Sequence, residues 1–367
     1  MNTTPNVSER EALAIAAVYG GVFVYLGLPR QLVQQAGEAA WMAAILAGLT
    51  TLAAFWIMAR LILSFPEGGL AEAFRQGFGW VGGFSASLLF FLLFVAQDAL
   101  VTREFIGQIG QTVLPLTPTP VLAVLFLSAA GFGALYGIEG LGRAAWFALP
   151  WLAGITALLA LLSLEWAHLY NLFPLWGRGA PTVVRTGLLH TTLLGALVLP
   201  TIAFQVQPRR AILKAGLRAC TLVVTVLVAV QIALGLEFSR TAIIKQPYPI
   251  YQLARLVLYG RFFQRMESLF LFVWIIAAIF RISLGIYLAA TVFGRALALP
   301  NASLLVPAVA TTVFGLVTAF PTWTDAYRWD TWILENHAWM VFVGTTLLLG
   351  AALAAARRRS GGKRRAV

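Results

Sequence analysis

The tightest constraint on this chain is one arginine inside an apolar stretch. Residues 269–291 are almost continuously apolar, long enough to cross a bilayer as a single helix. Arg281 lies about a dozen positions inside that run, or roughly 18 Å along a helix axis. Snorkelling covers only part of such a distance. The charge must therefore be met inside the protein, and an arginine at that depth marks a functional site by default. Glu267, Trp274 and Arg281 recur at sevens and share one helical face, with Ala278 and Gly285 close to it. A face of charge, indole and small residues is expected to look into protein rather than lipid.

The remaining sequence is of the same kind. Of 367 residues, 60% are hydrophobic and only 11% charged, and the mean hydropathy is +0.84. No soluble domain of this size needs so much apolar surface, which leaves a polytopic membrane protein. The net charge of +12 is concentrated in short stretches between apolar runs, a pattern of positive-inside topology rather than of nucleic-acid binding. Cys220 is the sole cysteine, so no intrachain disulfide is expected. Glu9 and Glu11 precede the first apolar run, which reads as a retained span rather than a cleavable leader.

Ten apolar segments follow, at 12–28, 39–65, 84–110, 121–136, 144–164, 183–206, 219–236, 269–291, 304–320 and 338–356. The expected fold is all-α, with about ten transmembrane helices in one domain over 1–367. Arg209, Arg210, Lys214 and Arg218 follow segment six, and Arg357, Arg358, Arg359, Lys363, Arg364 and Arg365 form a basic tail over 357–367. With ten spans both stretches lie on one side, which places both termini in the cytoplasm. The tail also suits contact with anionic lipid. The connection after segment seven dissents, with Arg240, Lys245, Arg255, Arg261 and Arg265. Some of these are expected on a surface helix that packs against the protein.

Segments one and six carry matching interruptions. Gly20-Gly21 lies inside the first, with Pro29 at its end; Gly195 lies inside the sixth, with Pro200 soon after. Such a pattern points to broken helices of an inverted repeat, here over about 9–165 and 183–357. The freed N–H and C=O groups can bind a carboxylate and an ammonium near the midplane. The alternative is that these glycines only let helices pack closely. Segment three holds Gln97-Asp98 near its centre, then Arg103-Glu104. An acid at the depth of Asp98 needs a partner or a proton.

Catalytic readings fail. His168, His190 and His337 are far apart, and no His, Cys, Asp and Glu cluster has metal-ligand spacing. Tyr19-Gly20-Gly21-Val22 is not followed by the Gly-Lys-Ser/Thr of a phosphate loop. His190 is expected as a helix-facing histidine.

Pro247-Tyr248-Pro249-Ile250-Tyr251, the Arg265 and Glu267-Ser268 group, Trp274 and Arg281 resemble the membrane B subunit of spore nutrient-germinant receptors. That GerAB-type family is a branch of the amino acid–polyamine–organocation transporter superfamily. Weaker matches lie at Asn171-Leu172-Phe173-Pro174-Leu175-Trp176-Gly177-Arg178-Gly179 and Leu116-Thr117-Pro118. The resemblance implies a LeuT-like 5+5 inverted repeat with helices one and six broken, and a ligand site among segments one, three, six and eight. Counting from Pro174 brings Leu194 and Gly195 to that site. Counting from Pro118 brings Gln97, and counting from Trp274 brings Phe280 and Arg281. Asp98 then faces Arg281, either at the ligand or as a purely structural ion pair. Glu104 and Glu267 complete the expected buried charge network.

Two positions depart from the family. Val22-Phe23-Val24 stands where a Gly-x-Gly is usual, and Ala196 and Leu197 stand where a Glu is common. A missing acid and an added Arg favour an anionic end of the ligand, or a pocket already balanced internally. The resemblance further implies a small germinant such as an amino acid, A-type and C-type partner subunits, the inner spore membrane, and neither cofactor nor nucleic acid. A working secondary amino acid transporter is the other function this fold supports.

Overall fold

The computed structural model describes residues 6–66, 68–190, 195–257 and 266–364. Among them the secondary structure is helical apart from an isolated parallel bridge between Val7 and Val206. Seven helical stretches are long and apolar enough to cross a membrane, and Thr119–Leu135 is a shorter apolar helix. Apolar side chains also cover the outside: Phe132, Phe147 and Leu161 are each more than 60% exposed. A helix surface of that kind is solvated by lipid tails, while backbone polar groups are satisfied within each helix.

The first apolar segment divides into α1 (Glu9–Tyr25) and α2 (Leu28–Ala36). A capping box starts α1: the Ser8 hydroxyl accepts from the Glu11 N–H, and the Glu11 carboxylate accepts from the Ser8 N–H. The expected break at Gly20-Gly21 is not there, because α1 runs unbroken through both glycines. The interruption falls at Leu26-Gly27 instead, where Leu26 leaves helical geometry (φ −95°, ψ −148°). Pro29 explains the shift. It opens the first turn of α2, where its missing N–H costs nothing, whereas within a continuous helix it would break the ladder. Gly20 is buried instead, and Gly21 lines a small apolar cavity with Tyr25, Leu152 and Val223.

Helix α3 (Ala40–Leu63) is followed by α4 (Leu70–Thr112). Gly79 kinks α4 at φ +77°, a left-handed conformation that favours glycine. Next come α5 (Thr119–Leu135), α6 (Gly137–Ser163), α7 (Ala180–Leu189) and α8 (Gly195–Thr201). Segment six is thus carried by two helices, one ending at Leu189 and the other beginning at Gly195. Leu194 lies outside the described residues.

Helix α9 (Ala211–Glu237) packs against α1 and α3. The basic connection after it forms two short helices, α10 (Arg240–Lys245) and α11 (Pro249–Leu256). They bury Ile243, Ile250 and Leu253 and leave Arg255 exposed, as expected of a surface helix packed on the protein. Arg261 and Arg265 lie outside the described residues. Helix α12 (Met266–Ala296) packs against α4 and α5 at the centre of the molecule.

The last elements are α13 (Val306–Ala319), α14 (Trp323–Asn336) and α15 (Ala338–Arg364). Hydropathy gave no hint of α14. Its signals were local: the Thr322 hydroxyl accepts from the Asp325 N–H as an N-cap, and Trp323, Tyr327 and Asp330 follow at helical spacing.

Candidate functional site

Helix α12 turns Trp274, Ala278 and Arg281 into the protein, all at most 1% exposed. Arg281 donates from Nη1 to Oδ1 of Asp98 on α4 at 2.7 Å, and both side chains are fully buried. The guanidinium carbon also lies 3.5 Å from the ring centroid of Tyr19 and 5.6 Å from that of Phe23, both on α1. One helix thus supplies the cation, a second the anion and a third the aromatic faces. Gly285, one turn along α12, makes room for the carboxylate, since a Cβ there would overlap both of its oxygens. Trp274 packs on Phe105 of α4 with ring centroids 4.4 Å apart.

A second polar group adjoins this pair along α4, from Gln97 to Glu104. Gln97 donates from Nε2 to Oδ1 of Asp330 at 3.2 Å. The carboxyl of Glu104 faces that of Asp330, and all three residues are at most 4% exposed. The Tyr248 hydroxyl donates to the Glu104 carbonyl oxygen at 3.1 Å. Arg103 leaves this group and reaches instead towards Thr119 and the carbonyls of Phe320 and Pro321. Helix α14, which supplies Asp330, also holds the interruption of α1 in place. The Tyr327 ring lies against Gly27, Arg30 stacks on that ring at 5.2 Å, and Gln31 donates to the Thr331 hydroxyl at 3.0 Å.

Beyond Glu104, α4 ends in an open cavity of about 440 Å³. Gln108, Gln111, Tyr248, Tyr251, Arg255 and Glu267 are among its walls. Helix α12 carries Glu267 to this mouth, half-buried, about four turns from Arg281. The expected place of Glu267 in the buried charge network is therefore corrected: it shares the helical face but not the depth. At the opposite end Arg295 of α12 pairs with Glu72 and lies 3.9 Å from the Phe204 ring centroid, while Arg209 donates to the carbonyls of Phe65, Pro66 and Gly68. These contacts close that end.

The structure brings Gln97, Asp98, Glu104 and Arg281 into one buried polar column. Phe280 adjoins it, buried. Gly20 and Val22 are buried on α1, in the turn between Tyr19 and Phe23. His190 ends α7, with Nδ1 hydrogen-bonded to the Thr186 carbonyl at 3.0 Å, a helix-facing histidine as expected. Asp330 and Tyr327 were not foreseen, because residues 321–337 fall between the ninth and tenth apolar segments. The ion pair also bears on the ligand. Asp98 takes the Nη1 donor of Arg281, while Nε and Nη2 of the guanidinium have no hydrogen-bond partner among the described residues.

Comparison with known proteins agrees with this architecture. The pattern of a family described as spore germination protein matches residues 13–322. A relative, spore germination protein YndE of Bacillus subtilis (strain 168), is 25% identical over 277 residues, covering 74% of this chain and 76% of that protein. Among solved structures, the nucleobase–cation-symport-1 family transporter MHP1 in a closed conformation superposes with a TM-score of 0.63 at 15% identity, covering 96% of this chain and 91% of its own. MhsT in complex with L-phenylalanine gives 0.64 at 13% identity, with coverages of 94% and 91%. At such identities the structures establish the fold, that of membrane transporters, and the sequence match supplies the family. The chain therefore belongs to the spore germination protein family, GerAB-type within the amino acid–polyamine–organocation transporter superfamily.

Proposed function

We propose that this chain is the membrane subunit of a spore nutrient-germinant receptor. It binds a small germinant, such as an amino acid, at mid-depth and acts on A-type and C-type partner subunits. The observation that carries the reading is the meeting of two features. The interruption of α1 at Leu26-Gly27 lies against α14, and α14 completes the buried polar group that leads to the 440 Å³ cavity. An interrupted helix leaves backbone donors and acceptors free where a solute can use them. The reading includes ten spans, cytoplasmic termini and the inner spore membrane. The inverted halves are 9–165 and 183–357, and the pocket lies among Gly20, Gly21, Val22, Gln97, Leu194, Gly195, Phe280 and Arg281.

A second reading, a secondary amino acid transporter, is favoured by the transporter fold itself; one neighbour of that fold is complexed with L-phenylalanine. Two measurements separate the readings. Spores lacking the gene should lose germination on a specific nutrient and regain it on complementation, and affinity purification should bring down the two partner subunits. Uptake of labelled amino acid by the chain alone in proteoliposomes, with normal germination of the deleted spores, would select the transporter instead.

A further inference from the structure

The buried column holds three acids, Asp98, Glu104 and Asp330, to one arginine, Arg281. Asp98 and Arg281 pair, which leaves the carboxyls of Glu104 and Asp330 facing each other at 0% and 2% exposure. Two ionised carboxylates are both acceptors and cannot hydrogen-bond to each other. Among the described residues no amide, hydroxyl or guanidinium donates to Glu104, and the Gln97 amide donates to Asp330, so the two carboxyls meet only through a shared proton or a cation. Among the described residues none of the surrounding cations hydrogen-bonds to this carboxyl pair, although Arg281 lies near enough to act on Asp330 electrostatically. Arg281 holds Asp98, Arg30 donates to the Ile244 carbonyl and stacks on Tyr327, and Arg103 turns to backbone carbonyls. Two like charges in a low-dielectric site repel strongly unless a positive charge joins them.

A second observation points the same way. Gln108, one turn beyond Glu104, is fully buried, yet neither its amide nitrogen nor its oxygen has a partner among the described residues. It also lines the outer cavity. Buried amides are normally satisfied, so this one stands ready for a solute passing from the cavity to the carboxyl pair. We infer that Glu104 and Asp330 form a cation-accepting subsite that takes the ammonium group of a small solute bearing net positive charge. This narrows the ligand of the proposed receptor pocket and rests on that reading. The sequence alone left two readings open, an anionic end of the ligand drawn to Arg281 or a pocket whose charge is balanced internally.

The test uses the full chain in lipid nanodiscs, with melting followed by tryptophan fluorescence and binding by titration at constant ionic strength. Propylammonium should bind and raise the melting temperature, while propanol, its neutral isostere, should not. That comparison uses the wild-type chain and needs no variant. Glu104→Gln and Asp330→Asn should each weaken propylammonium binding about tenfold or more, while Glu139→Gln on α6 should leave it unchanged. Stabilisation by sodium ion alone, or by mild acid alone with no response to propylammonium, would overturn the inference in favour of a metal-ion or proton site. Zwitterionic alanine binding equally to wild type and Glu104→Gln, without propylammonium binding, would reject the cation subsite yet keep the pocket. Absence of binding by every probe would remove both.

Discussion

Gly285 lacks a side chain at the point where any Cβ would overlap both carboxylate oxygens of Asp98. The glycine is therefore part of the ion pair: the carboxylate lies over its bare backbone and reaches Arg281 one turn away. Gly285→Ala should displace Asp98 and destabilise the chain by about 1–3 kcal/mol, the usual range for overpacking. Gly21→Ala is the matched control, since its Cβ would meet Val223 at an ordinary 3.9 Å. Melting temperatures of the two variants in the same detergent check this, and equal values would show that the carboxylate has room to move.

The pair itself predicts strong coupling. Removing one partner leaves the other buried and uncompensated, at about 3–5 kcal/mol. Asp98→Asn and Arg281→Gln should each destabilise the chain by that order, and the double variant by much less than their sum. A double-mutant cycle on melting temperature reads the difference. Strict additivity would contradict the 2.7 Å contact.

The helix interruption at Leu26-Gly27 depends on Tyr327. A Cβ on Gly27 would come 2.5 Å from the edge of that ring. Gly27→Ala is expected to lower stability and abolish germinant response, and Tyr327→Ala combined with it should recover stability without recovering response. Germination assays alongside membrane abundance of each variant measure both. A normal response from Gly27→Ala would mean that this interruption serves packing alone.

Topology can be read with single cysteines on a Cys220→Ala background. Arg255→Cys lies exposed at the cavity mouth, and Arg359→Cys near the basic tail. A membrane-impermeant maleimide should label the first in intact cells and the second only after lysis. Labelling of Arg359→Cys in intact cells would reverse the assignment of the termini.

The sequence by itself determined the class of solvent, the run of apolar segments and the need for a partner to Arg281. These follow from local quantities: hydropathy over a helix length, the rise per residue, and the cost of a charge in hydrocarbon. It also indicated which face of α12 looks inward, because Trp274, Ala278 and Arg281 share a periodicity that any helix must respect.

Tertiary structure decided the rest. Asp98 and Arg281 are 183 positions apart, and nothing local selects that acid over Glu267, which shares the face of Arg281 but ends at the cavity mouth. Gly20-Gly21 resembled a break, yet α1 continues through it, because Pro29 forces the interruption further on. Helix α14 was too polar to read as part of a membrane core. Only the assembled fold shows that Asp330 is buried against Gln97 and Glu104.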